Sequence, residues 1–306
     1  MDAITGWLME GDAAIRWQTR RDLLGEPREV WAAERECTLR EGWGARLLAL
    51  QQADGGWGGG VYSPKWTSTT YTLLTLFRIG LPPGVPALRR GAEQTVGALL
   101  GGQVDEPFQK RLKALDRCIV GMMLQAAVYG GLDTARIEAI TANLLAEQMA
   151  DGGWNCSRGR PQHSSFHTTL NVLDGLREYI EWQGAVRRAD AQAAESRALE
   201  LLLQHRLYKS DKTGEEIHPR FRLLSFPPQW HYDVLRGLEY FARAGAPRDP
   251  RAAEAVELLR SQRQPDGCWR IQYIYSGKYH FLIEGRGKPS RWNTLRALRI
   301  LRWWEG

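Results

Sequence analysis

The chain has 306 residues, 43% of them hydrophobic and 25% charged, so it can bury a sizeable core; disorder, collagen and a disulfide-stapled miniprotein are excluded. Lys plus Arg exceed Asp plus Glu by 41 − 35 = 6, a diffuse excess with no long basic run and no RNP-type or zinc-finger motif, which argues against nucleic acid and suits phosphorylated ligands or an anionic membrane surface. The strongly apolar stretch from Cys118 to Gly131 is too short to span a bilayer. Met1-Asp2-Ala3-Ile4-Thr5-Gly6-Trp7 lacks the basic start and apolar core of a secretory signal, and the four cysteines are too scattered for a disulfide framework, so a reduced, cytoplasmic protein is expected.

Apolar spacing predicts helices in pairs, beginning with 2–9 and 12–24. The first and second helices of the following pairs are 29–51 and 66–79, 87–100 and 116–130, 134–149 and 165–181, 187–206 and 229–244, and 250–262 and 290–303. Stops fall at Gly80-Leu81-Pro82-Pro83, Gly130-Gly131 and Gly245-Ala246-Pro247. The Lys-rich segment before Asp116 reads as a loop, Lys209 to Glu216 as a polar loop, and 269–275 as a short hairpin arm.

Three sequence elements between the helices resemble one another. They are Gln52-Ala53-Asp54-Gly55-Gly56-Trp57, Gln148-Met149-Ala150-Asp151-Gly152-Gly153-Trp154 and Gln264-Pro265-Asp266-Gly267-Cys268-Trp269. Weaker copies occur at Gln103 and Gln204, and the Gln positions 52, 103, 148, 204 and 262 are spaced by 51, 45, 56 and 58 residues. A unit of that length holds a helix, a turn, a loop and a second helix. Six such hairpins can close into a ring with second helices inside and first helices outside, an all-α single domain over residues 1–306.

These elements resemble the QW repeats of the squalene cyclase and protein prenyltransferase β-subunit superfamily, and the resemblance covers essentially the whole chain, as for a single-toroid bacterial-type member. It implies an (α/α)6 toroid. The Asp-x-Asp-Asp acid of class II triterpene cyclases is absent, as is Asp-Asp-x-x-Asp, so neither protonation-initiated cyclisation nor magnesium-dependent ionisation is expected.

Asp116-Arg117-Cys118 opens one second helix and Phe166-His167-Thr168-Thr169 opens the next. Residues two apart on a helix point to different sides, so Asp116 and Cys118 can share a metal only where the chain enters the helix. Asp116, Cys118 and His167 supply a carboxylate, a thiolate and an imidazole, a three-ligand set for zinc with an open fourth position. This set resembles the zinc site of protein farnesyl- and geranylgeranyltransferase β-subunits. That likeness implies diphosphate binding by Lys110 and Lys113, six and three residues before Asp116, together with Arg117. Ile119 departs from the family, where Tyr follows the Cys, and no α-subunit is indicated.

His163 and His231 are further candidate ligands, His231 more simply a hydrogen-bonded lining residue or a partner to a ligand. Cys156 reads as an exposed thiol in the turn after Trp154, and Cys37 and Cys268 as structural. Trp66, Tyr71, Phe166, Trp230, Tyr232 and Trp292 are candidates for an apolar cavity lining that could also stabilise positive charge. Arg291, Arg296, Arg299 and Arg302 read as a solvated or ion-paired face. The leading expectation is a zinc-containing, prenyltransferase-like enzyme acting on an isoprenoid, diphosphate-bearing or simply apolar. The alternatives are a non-catalytic toroid binding a hydrophobic ligand or a protein, and a thiol-activating zinc toroid of the lanthionine-forming type, which uses a Cys-Cys-His set.

Overall fold

The structure, a computed structural model, describes residues 2–156 and 162–306. Apart from a two-stranded ribbon, its regular secondary structure is helical among the described residues, so the chain is all-α. Helix α1 (Ala3–Met9) starts where the Asp2 carboxylate accepts the Ile4 and Thr5 N–H groups, and Asp12 caps α2 (Ala13–Asp22) in the same way at Ala14. The helix expected over 29–51 is two: α3 (Arg28–Cys37) and α4 (Gly42–Leu48). The break falls before Gly42, whose φ of +68° is a left-handed conformation that glycine adopts without Cβ strain.

Helices α5 (Thr69–Ile79) and α6 (Pro86–Leu100) follow their apolar spacing, with Pro86 opening α6 where a missing N–H costs nothing. The Lys-rich segment read as a loop is a helix, α7 (Glu106–Ala114), capped by Asp105 at the Phe108 N–H and buried only through Phe108 and Leu112. Two apolar residues four apart are too few to stand out in a polar sequence. Then come α8 (Arg117–Tyr129), α9 (Thr134–Ala146), α10 (Phe166–Glu181), α11 (Arg188–Gln204), α12 (Val234–Arg243), α13 (Ala253–Ser261) and α14 (Arg291–Glu305). Strand β1 (Trp269–Arg270) pairs antiparallel with β2 (Pro289–Ser290), so the expected hairpin arm finds its partner at the far end of the intervening loop. No helix among the described residues is long and apolar enough to cross a membrane.

The chain divides into two compact units: Met1–Leu50 with Thr75–Pro82 and Leu203–Gly306, and Gln51–Leu74 with Pro83–Leu202. In the first, the Trp17 indole and the Gln18 amide both donate to the Ile79 carbonyl. Two of the arginines of α14 are ion-paired, Arg296 buried against Glu239 and Arg299 bridging Glu239 and Asp22, while Arg291 donates to the Trp7 carbonyl and Arg302 to the Asp22 and Leu23 carbonyls.

Within the second unit, α8 and α10 pack backbone to backbone through two glycines. A Cβ on Gly121 would lie 2.5 Å from the Asn171 carbonyl oxygen, and one on Gly175 would lie 2.4 Å from the Gly121 carbonyl oxygen. This contact brings the first turns of α8 and α10, and the candidate residues they carry, side by side.

The three Trp elements make the same bonds. The backbone N–H groups of Trp57, Trp154 and Trp269 each donate to a threonine hydroxyl, Thr69, Thr169 and Thr294, at 3.0 Å. The Trp154 and Trp269 indoles donate backwards to Leu144 and Leu259 at 2.7 Å, tying each loop to the helix before it as well as the one after it. All three rings are fully buried. The glutamine that closes the first element is Gln51 rather than Gln52: like Gln148, it donates to the carbonyl four residues on and to a carbonyl of a later helix, Ala87 of α6 or Ala194 of α11. Arg263 takes that place in the third element, donating to Gly267.

Candidate functional site

Helix α8 begins at Asp116, which occupies the N-cap position with extended backbone. Asp105, Asp133 and Asp233, at the same position of α7, α9 and α12, each accept a backbone N–H of their helix; the Asp116 carboxylate accepts none. It is a capping residue whose charge is not spent on its helix.

What the helix N-terminus receives instead is a sulfur. Cys156, expected as an exposed thiol, is half-buried, and its Sγ accepts the Cys118 N–H at 3.1 Å and the Thr168 hydroxyl at 3.2 Å. The Cys118 side chain is the other group that acts on this sulfur. These donors favour the anion, and chiefly the Cys118 bond brings the Cys156 thiol down to about 7, against the opposing effect of burial. Cys118 is pushed up, first because its proton is held by Cys156 and then by burial. The two thiols are thus shifted in opposite directions, Cys156 down and Cys118 up.

The Tyr62 and Tyr71 ring centroids are 5.3 Å apart, and Trp66 meets Tyr71 edge to face at 4.7 Å. Burial pushes the Tyr62 phenol up to about 12, and the nearby Cys156 and Asp116 add to the shift, which puts this aromatic wall in the electrostatic field of the site. The Lys65 ammonium lies 5.2 Å from the Tyr62 ring centroid.

Of the residues expected to form the site, Asp116, Cys118 and His167 sit on the adjacent ends of α8 and α10, but their ligating atoms do not all come within 4.8 Å of one another. The group of His, Cys, Asp and Glu side chains that meets that spacing among the described residues is Glu34, Cys37 and Glu41, whose carboxylates are already paired with Arg16. His163 is exposed, its carbonyl accepting the Asn155 amide. Lys110 and Lys113 are exposed on α7. Arg117 is turned back as a brace, donating to the Leu112 and Lys113 carbonyls and to Asn143, with Glu147 3.6 Å away.

Of the aromatic lining candidates, Trp66, Tyr71 and Phe166 belong to the second unit and are buried. Those of the first unit have other partners. Trp230 stacks on His231, which stacks on Tyr275 at 3.6 Å; Tyr232 donates to the Leu207 carbonyl; Trp292 stacks on Phe226 at 4.3 Å. Cys156, Thr168 and Tyr62 were missed from sequence. The available signal was the position of Cys156, two residues past a Trp that both neighbouring helices hold.

Zinc is the group the resemblance implies, and the chemistry of the donors fits it. Two thiols, a carboxylate left off its own helix and an imidazole on the next helix end are ligands of the right type, although no three of Asp116, Cys118, Cys156 and His167 bring their ligating atoms within 4.8 Å of one another.

No family model and no curated protein matches the chain. Among solved structures, a protein from Actinoplanes is similar at 15% identity over 96% of this chain and 90% of that one, with a TM-score of 0.45. A type II terpene cyclase from Scytonema is similar at 16% identity over 90% of this chain and 98% of that one, with a TM-score of 0.33.

Proposed function

We propose that the chain is a zinc-dependent, prenyltransferase-like enzyme acting on an apolar isoprenoid substrate. The observation that carries this reading is the convergence of Cys156 on Asp116-x-Cys118, which doubles the sulfur donors at the head of α8. Cys118 and Cys156 would hold the metal, with Asp116 and His167 as the remaining donors. Zinc bound there supplies a positive charge that keeps a substrate thiol or water deprotonated near neutral pH.

The other parts follow from the chain's own residues. Tyr62, Trp66 and Tyr71 offer ring faces and edges to an apolar chain beside the sulfurs and favour positive charge developing on it. Lys110 and Lys113, three residues apart and so on one face of α7, present two ammonium groups to a departing diphosphate. Arg117 holds the C-terminal carbonyls of that helix and so sets its position against α8.

A hydrophobic-ligand-binding protein without metal is the second reading, favoured by the spacing of Asp116, Cys118 and His167. Metal analysis of untagged, dialysed protein separates the two. About one zinc per chain is expected, falling to background in Cys118→Ala and Cys156→Ala while the helical circular dichroism is kept. Protein that takes up no zinc, or variants that retain it, would overturn the enzyme reading.

A further inference from the structure

We infer that Cys118 and Cys156 form a reversible dithiol–disulfide couple, a modification site at the head of α8. Both residues are half-buried rather than sealed, so a small oxidant can reach them. The Cys156 sulfur lies 3.1 Å from the Cys118 backbone nitrogen, against the residue whose side chain it would bond, and the closed S–S bond is about 2 Å long. Cys156 lies in irregular backbone beyond the Trp154 anchor, where a shift disturbs no helix, while Cys118 sits in the first turn of α8. The other two thiols lack this arrangement: Cys37 donates to the Ala33 carbonyl and Cys268 to the Asp266 carbonyl, each within its own segment.

The geometry assigns the roles. Cys156, whose sulfur accepts the Cys118 N–H and the Thr168 hydroxyl, is the attacking sulfur, and Cys118 is the resolving one. With a low-molecular-weight disulfide RSSR as oxidant, the Cys156 sulfur attacks one sulfur, a mixed disulfide forms, and RS⁻ leaves and is protonated. Cys118 then loses its proton and attacks the Cys156 sulfur, and the second RS⁻ departs with that proton. The sum is dithiol plus RSSR giving the protein disulfide plus two RSH, with two electrons passing from the protein to the oxidant.

The disulfide stands independently of the proposed function; only its consequence rests on that reading, because a disulfide offers no thiolate to a metal and oxidation would switch the site off.

The test uses the full untagged chain, stripped with a chelator and equilibrated with oxidised glutathione, then analysed by mass spectrometry without reduction. The expected product is about 2 Da lighter, has two of its four thiols unreactive, yields one linked peptide joining residues 118 and 156, and reverts with dithiothreitol. Cys118→Ser should stop at a stable glutathione adduct on Cys156. Thr168→Val, which removes one donor from the attacking sulfur, should slow the reaction several-fold without changing the rate at Cys37. Four reactive thiols at the end, or adducts on Cys37 and Cys268 with no 118–156 link in folded protein, would overturn the inference. Zinc content read on the same samples keeps the two ideas apart. Protein that binds zinc but never forms the link refutes only the couple, and protein that forms the link but takes up no zinc refutes only the proposed function.

Discussion

The approach of α8 to α10 can be tested by adding one methyl group. In Gly121→Ala the new Cβ would meet the Asn171 carbonyl oxygen at 2.5 Å and the Val172 Cα at 2.7 Å, both backbone atoms of a helix that cannot swing aside as a side chain can. Overpacking of this kind costs about 1–3 kcal/mol, and exchanging glycine for alanine in a helix returns roughly 0.5–1 kcal/mol, so a net loss of about 1–2 kcal/mol is expected. At about 2–4 °C per kcal/mol that lowers the melting temperature by roughly 2–8 °C in a circular dichroism melt. Gly97→Ala in α6 is the control, because no atom lies within 4 Å of its added Cβ; there only the helical gain remains, and the melting temperature should rise by a few degrees. The same substitution at Gly121 should also slow alkylation of Cys156, since the Cys118 N–H and the Thr168 hydroxyl that meet on that sulfur ride on the two helices being forced apart. Equal stabilisation by Gly121→Ala and Gly97→Ala would refute the close contact.

Thr169→Val leaves the buried Trp154 N–H without its acceptor and should cost about 1–3 kcal/mol in urea unfolding, as should Thr294→Val at Trp269. Thr141→Val, whose hydroxyl only donates back to the Ile137 carbonyl within α9, should cost less; equal losses at all three sites would contradict the tie. Burial of Asp22 opposes its ionisation, but Arg299 and Arg21 outweigh it and hold the carboxyl below its ordinary value of 3.8. Its stabilising contribution is therefore complete above that value and is lost as the pH falls through the depressed folded value. Asp22→Asn should be less stable than wild type at pH 7 by roughly 1–3 kcal/mol, with the gap closing in strong acid; a gap independent of pH would refute the pairing.

The helices were legible where one apolar face repeats over three turns or more, as in α6, α8, α10 and α14, whose observed ends fall within three residues of those expected. The failures have local causes. The expected helix over 29–51 breaks because Gly42 takes a left-handed conformation that composition alone does not reveal, and α7 was lost because only Phe108 and Leu112 mark its buried side. The site was half legible. Asp116, Cys118 and His167 announce themselves at helix starts, whereas Cys156 reaches Cys118 from 38 residues away. A polar loop residue carries no periodic signal, so its destination follows only from what anchors the loop.

That anchor explains why the sulfur pair occurs where it does. In each Trp element the backbone N–H is fixed on a threonine of the following helix, and in the middle element the residue two past the Trp meets the residue just before that threonine. In the first element those two positions are Gly59 and Ser68, and in the third they are Ile271 and Asn293. Only the middle element places there a sulfur and a hydroxyl, Cys156 and Thr168, and only its neighbour α8 opens with an Asp whose carboxylate is left off its own helix. The hydrogen bonds that hold the loop are common to all three copies and account for the scaffold; the Cys156, Thr168, Asp116 and Cys118 substitutions are confined to one and do nothing that the other copies need for folding. Chemistry added to a single copy of a repeated scaffold should be removable without loss of the fold, which is why the cysteine variants are expected to keep their helical signal while losing metal and the capacity to form the disulfide.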